Sequence, residues 1–296
     1  MEEMDNVLCS YQNGNVKVII LNDGTKIREF EDTPNIDHME SVDVKVTNYC
    51  DLGCPFCHEE STTSGKHADL ERLKLVLEEL PAGIELAIGG GNPLSHPYIL
   101  DFLIWCKNKG FICNMTMNQL HLNLYKQPLL DLLSDNLIKG LGISIANNDY
   151  TIIKALQDVS DNIVFHVIAG VNKLNVLDEL CGLKYCKVLV LGYKTYGRGI
   201  KHYSKNVQFI MNAWKYHLRE YVGKCIISFD NLAIEQLAVQ KWFTPNGWNK
   251  FYMGDDFTFT MYIDAVEKMY APTSRDSNKT SFNDCSLIEY FKNNKN

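Results

Sequence analysis

The chain has 296 residues, of which 46% are hydrophobic and 22% charged, with a formal net charge of −7. That length can bury a large core as one domain of α/β-barrel size, the acidic balance argues against a nucleic-acid-binding surface, and no apolar run reaches the length of a membrane span. Ten cysteines, and an acidic start (Met1-Glu2-Glu3-Met4-Asp5) in place of a secretory signal, predict a cytoplasmic chain whose thiols are reduced or bound to metal.

Residues 16–21 and 25–30 read as strands joined at Asn22-Asp23-Gly24, a β-hairpin turn. Asp32-Thr33-Pro34-Asn35 then breaks the structure, so residues 1–39 form an N-terminal hairpin extension. From residue 42 strands and helices alternate: strand 42–47, helix 68–80, strand 85–88, helix 98–108, strand 111–117, helix 127–133, strand 141–146, helix 150–156, strand 163–169, helix 174–180 and strand 188–191. Six short apolar strands between amphipathic helices imply parallel strands with right-handed crossovers. Their apolar character implies that both sheet faces are covered. Periodicity alone allows a partial (β/α)6 barrel or a doubly wound open sheet; in a barrel the working residues lie at the C-terminal strand ends. After residue 199 the rhythm changes to helix 206–221, strand 226–229, helix 231–243, a strand over 257–264 with residues 267–270 set to pair with it, and a polar loop at 273–280. The domain reading is a core over 40–200 and an α+β extension over 201–296 that closes the open side of the barrel.

The first core strand runs into Asn48-Tyr49-Cys50-Asp51-Leu52-Gly53-Cys54-Pro55-Phe56-Cys57-His58. Three thiolates on one tight loop can hold three irons of a [4Fe–4S] cluster and leave the fourth iron open to a ligand. Zinc held by Cys50, Cys54, Cys57 and His58 is the competing reading, and with it a non-enzymatic iron–sulfur or zinc protein. Zinc sites draw their ligands from two separated pairs, and no second C-x2-C pair exists. After the second strand comes Gly89-Gly90-Gly91-Asn92-Pro93-Leu94, whose glycines let backbone groups approach a ligand closely. Lys194 and Arg198 follow the sixth strand among glycines, a setting for an anionic group or a solvated basic loop. His166, on the fifth strand, reads as structural, and Asp230 as the cap of the helix that follows it.

The C-x3-C-x2-C run resembles the signature of the radical S-adenosylmethionine (radical SAM) superfamily, and the resemblance covers roughly residues 40–200. It implies a partial (β/α)6 TIM-like barrel with a [4Fe–4S] cluster on Cys50, Cys54 and Cys57. S-adenosylmethionine (SAM) would be chelated by the open iron and reductively cleaved to methionine and a 5′-deoxyadenosyl radical that abstracts a substrate hydrogen atom. Gly90, Gly91 and Pro93 match the Gly-Gly-Glu-Pro motif that binds the SAM amino group, with Asn92 in place of the glutamate. The resemblance further implies that Ser144 meets the SAM ribose or carboxylate. It implies that Ile168 packs on adenine, that the main chain of Phe56 meets adenine, and that Lys194 contacts SAM or substrate. Thr116-Met117-Asn118-Gln119 resembles the Thr-Asn-Gly run of the third strand. Residues 261–270 are similar to the hairpin of SPASM/twitch-type extensions. Ala271 stands near the place of a ligand cysteine, and Cys181, Cys186, Cys225 and Cys285 form no close pair, so this reads as a degenerate extension without a cluster. The implied partners are a small-molecule or short peptide substrate and an electron donor such as flavodoxin or ferredoxin, with a peptide-modifying maturase as the alternative.

Overall fold

The structure is a computed structural model that describes residues 6–295; the acidic start, residues 1–5, lies outside the described residues. β1 (Val7–Asn13), β2 (Val16–Leu21) and β3 (Lys26–Glu29) form an antiparallel sheet in that order. The expected hairpin at residues 22–24 is present. β1 was not foreseen, because Ser10, Gln12 and Asn13 dilute its apolar signal. At the first turn Gly14 has φ +59°, and a Cβ there would stand 1.9 Å from the Asn35 carbonyl oxygen, so only glycine fits.

The core then alternates as expected: β4 (Ser41–Thr47), α1 (Leu70–Leu77), β5 (Glu85–Gly90), α2 (Ile99–Lys109), β6 (Ile112–Asn118), α3 (Leu122–Ser134), β7 (Gly140–Ser144), α4 (Thr151–Gln157), β8 (Ile163–Ile168), α5 (Val176–Leu180) and β9 (Lys187–Leu191). α6 (Arg198–His202), α7 (Lys205–His217), β10 (Ile226–Phe229), α8 (Asn231–Leu237), α9 (Pro245–Phe251), β11 (Thr260–Asp264), β12 (Met269–Ala271), β13 (Thr280–Ser281) and α10 (Leu287–Asn294) complete the chain. The main sheet has the order β10-β9-β8-β7-β6-β5-β4-β11-β12-β13. It is parallel from β10 through β11, and the last two pairings are antiparallel. This is the partial barrel, and it is not closed. The extension was expected to close the open side; instead β10 lengthens one edge and β11–β13 the other.

A second expectation is corrected by the strand faces. Val42, Val44, Val46, Leu86, Ile88, Met115, Leu141, Ile143, Phe165 and Val167 are almost completely buried and point outward against the helices. Truncating one such side chain to alanine costs about 2–5 kcal/mol through lost burial and the cavity left behind. The residues between them, among them Asp43, Ala87, Asn114, Thr116, Ser144 and His166, are half-buried or exposed and line the concave side. The sheet therefore has one dry face and one wet face.

The N-terminal sheet covers the end of the barrel away from the cysteine loop. Lys26 pairs with Glu85 at 2.5 Å, Lys187 Nζ donates to the Asp23 carbonyl at 3.0 Å, and Arg28 holds the buried Glu40 at 2.8 Å. Glu40 and Glu85 flank the starts of β4 and β5, so the C-terminal strand ends stay free.

Candidate active site

β4 delivers its chain directly into the cysteine loop, and the loop is shaped by backbone bonds. Asn48 N–H donates to Lys66 O at 2.8 Å, Cys50 N–H to Thr62 O at 3.0 Å, and Cys57 N–H to Cys54 O at 3.2 Å. The three cysteines are half-buried and free. Cys50 Sγ lies within 4.8 Å of an Asp51 carboxylate oxygen and a His121 ring nitrogen, and His121 Nε2 stands 2.8 Å from Asp51 Oδ1. Burial raises the Cys50 and Cys54 thiol pKa values, neighbouring thiols add to this, and the Arg198 charge opposes it.

Arg198 clasps the loop. Its N–H donates to Cys57 O at 3.1 Å, its Nε to Cys54 O at 2.9 Å and its Nη1 to Ser61 O at 3.0 Å. The adjoining Gly197, at φ +56°, lies so close that a Cβ would stand 2.5 Å from His58 O. The basic loop read from the sequence is therefore spent on the cysteine loop. Nothing in the sequence pointed to this use of Arg198.

The glycine run after β5 closes on the same loop. Gly91 N–H donates to Thr47 O and Asn92 N–H to Tyr49 O, both at 2.8 Å. A Cβ on Gly90 would meet Thr47 O at 2.3 Å and one on Gly91 would meet Tyr49 O at 2.1 Å, whereas one on Gly89 meets nothing within 4 Å. Gly90 and Gly91 thus allow close approach of backbone to backbone, and Gly89 is the one that faces open space. Asn92 is 2% exposed, and its Oδ1 has no hydrogen-bond partner among the described residues. A buried acceptor left unpaired costs about 1–3 kcal/mol, which makes it a mark of a missing ligand.

Across the wet face, Asn118, Ser144 and His166 lie side by side in register on β6, β7 and β8. Asn118 caps the turn at 119–121 through Leu120 N–H at 3.0 Å, and Gln119 Oε1 accepts from Ala146 and Asn147 N–H, fixing the loop after β7. His166 rests over Gly142, where a Cβ would stand 2.4 Å from its ring, and desolvation lowers its pKa to about 4. Ile168 ends β8 on the same face, its N–H donating to Asn172 Oδ1 at 2.8 Å. Phe56 is half-buried with its ring 5.9 Å from that of His202.

Lys194 lies apart from this row, in a charged network under the loop. Its Nζ is 3.1 Å from His58 Nε2 and donates to Ser274 Oγ at 3.1 Å, and burial lowers its pKa. His58 Nε2 is 3.3 Å from Glu59, Lys45 bridges Glu59 at 2.9 Å and Asp264 at 3.3 Å, and Lys279 reaches Asp264 at 3.1 Å. Burial opposes ionisation of Glu59, but His58 and Lys45 outweigh it and hold its carboxyl far below the usual range. Asp43, open to the cleft but ringed by protein, is carried up to about 6 by desolvation, against Lys194 and with Asp230 and Asp256. Asp230 caps α8 as expected, through Ala233 N–H at 2.7 Å.

Residues 44–183 match the family model described as the Radical SAM superfamily. The chain contains a radical SAM domain. Its cofactors are a [4Fe–4S] cluster and SAM, and the three-cysteine loop with an orphaned acceptor beside it fits both. A similar fold is seen in crystal structures of Streptococcus suis SuiB. SuiB bound to S-adenosylmethionine gives a TM-score of 0.64 at 14% identity, over 86% of this chain and 66% of that one. SuiB bound to the precursor peptide SuiA gives 0.63 at 14% identity, over 86% and 65%. A third crystal structure of SuiB gives 0.61 at 12% identity, over 97% and 87%. The chain spans about two thirds of the length of the first two. No curated protein matches the chain. No helix among the described residues is long and apolar enough to cross a membrane.

Proposed function

We propose that this chain is a radical SAM enzyme that abstracts a hydrogen atom from a short peptide segment. The observation that carries the reading is the joint between the cysteine loop and the glycine run, with the unpartnered Asn92 Oδ1 set in it. Cys50, Cys54 and Cys57 would hold the cluster, which supplies the electron that cleaves SAM reductively. Asn92 Oδ1 would accept from the SAM ammonium group, with the open backbone at Gly89 beside it and Gly90 and Gly91 holding the run against the cysteine loop. Ser144 would meet the ribose or carboxylate, Ile168 would pack on adenine, and the main chain of Phe56 would face it. Lys194 would act on SAM or substrate only if it left Ser274 and His58, so we assign it to positioning of the loop. Arg198 holds the loop carbonyls and keeps positive charge near the thiolates. The dry outer face and the plugged lower end restrict water to the cleft, where a reactive intermediate must be aimed.

A peptide substrate is supported by the likeness of fold to SuiB, which was crystallised with its precursor peptide, and by a cleft left open between the sheet edges. A one-electron donor such as flavodoxin or ferredoxin would supply the reductant. The test is 5′-deoxyadenosine formation by anaerobically reconstituted protein with SAM and a strong reductant, beside Cys54→Ala. Formation that the variant abolishes supports the enzyme. No formation from protein with full iron and sulfide, with candidate peptides present, would leave a cluster protein that is not an enzyme.

A further inference from the structure

Three cysteines that the proposed function does not use meet at the other end of the barrel. The sulfurs of Cys181, Cys186 and Cys225 all lie within 4.8 Å of one another, and all three residues are half-buried. Sequence spacing conceals the group, because its members come from three segments. Cys181 terminates α5, with its N–H donating to Leu177 O at 2.9 Å. Cys186 and Cys225 immediately precede β9 and β10, which pair in parallel with Ile226 opposite Lys187. Ile226 N–H donates to Cys186 O at 2.9 Å, so the two cysteines are tethered neighbours. Cys225 also closes a tight turn with Val222 in which Gly223 has φ +86°.

We propose that Cys181, Cys186 and Cys225 form a second metal centre that binds one zinc ion, with water or an exogenous donor in the fourth position. A disulfide would use two of the sulfurs and strand the third, and all three are free. A triangle no wider than 4.8 Å suits one tetrahedral ion, whose thiolate ligands stand about 3.8 Å apart. Three soft thiolates select zinc over magnesium or calcium. Partial exposure gives the ion a way in. Binding breaks three S–H bonds, forms three Zn–S bonds and releases the protons to water, with no change of oxidation state. Asp178, one turn before Cys181, accepts from Tyr221 Oη at 2.8 Å and is already engaged. The site lies at the N-terminal strand ends, opposite the cysteine loop, and would clamp the edge strand β10 to β9.

The experiment is metal analysis of the full chain purified anaerobically from zinc-supplemented medium, for the native sequence, Cys54→Ala and Cys186→Ser. The expected result is one zinc per chain in the native sequence and in Cys54→Ala, and at least tenfold less in Cys186→Ser, which keeps its iron. Zinc absent from the native chain, zinc retained in Cys186→Ser, or iron and sulfide that depart with Cys186 would overturn the proposal. If Cys186→Ser does not fold, cobalt(II) titration of the metal-stripped native chain decides. Tetrahedral thiolate–cobalt bands at one equivalent, displaced by one equivalent of zinc, support the site. Weak six-coordinate bands, or a thiol count short by a disulfide pair, reject it.

Discussion

Asn92 stands where a glutamate is usual in the motif that it matches, and its amide keeps an acceptor while giving up the charge. Asn92→Ala should weaken SAM binding about tenfold or more, since a hydrogen bond to a charged group is worth about 1.5–3 kcal/mol. Equilibrium dialysis with labelled SAM reads this directly, and a Kd unchanged within twofold would place the oxygen elsewhere. Arg198→Ala should leave the loop carbonyls of Cys54 and Ser61 without their donor, and the cluster should be lost to a chelator several times faster. Arg198→Lys should not rescue it, because one ammonium cannot reproduce the forked geometry. The three cysteines were legible in the sequence because a single loop carries them. Arg198 was not, since its partner Cys54 lies 144 positions away and only folding brings them together.

At the scale of the element, the strands were legible from their apolar runs, and their faces were legible too but misread. Residues 42–47 alternate valine with Asp43, Lys45 and Thr47, the pattern of a sheet with one wet side. β8 carries a consequence of that wet side. The folded His166 pKa of about 4 lies below the value of 6.5 for the free side chain. The unfolded chain then binds the extra proton between those values, so this group's contribution is complete above about pH 6.5 and is lost as pH falls toward 4. It amounts to at most about 3 kcal/mol. Asp43 acts in the opposite sense: its raised pKa lets the folded state keep a proton longer, so its contribution declines as pH rises from about 4 to about 6. His166→Leu should therefore flatten the loss of urea resistance between pH 6.5 and 4.5 in the metal-free chain, and an unchanged slope would show that the ring is hydrated in the cleft. Two helices of the extension, α9 and α10, were missed: the first is broken in sequence by Pro245 and Gly247, and the second hides in a polar tail.

At the scale of the molecule, the extension is part of the sheet. β11 lies parallel beside β4, and Asp264 at its end receives Lys45 and Lys279. Periodicity could not reveal this, because which strand neighbours which is set by long-range pairing. Asp264→Asn leaves Lys45 only Glu59 in a buried site, and breaking such a pair costs about 3–5 kcal/mol. Urea melts should show that loss, and a change below about 1 kcal/mol would mean that solvent screens the network. The place of β4 has one more consequence. The strand that carries the cysteine loop is paired on both sides, by β5 and by β11, whereas β10 is paired on one side only. In amide hydrogen exchange, β4 should exchange only through global opening and β10 through local fraying. The root of the cysteine loop would then be among the slowest clocks in the molecule, and the β10 rim of the cleft among the fastest.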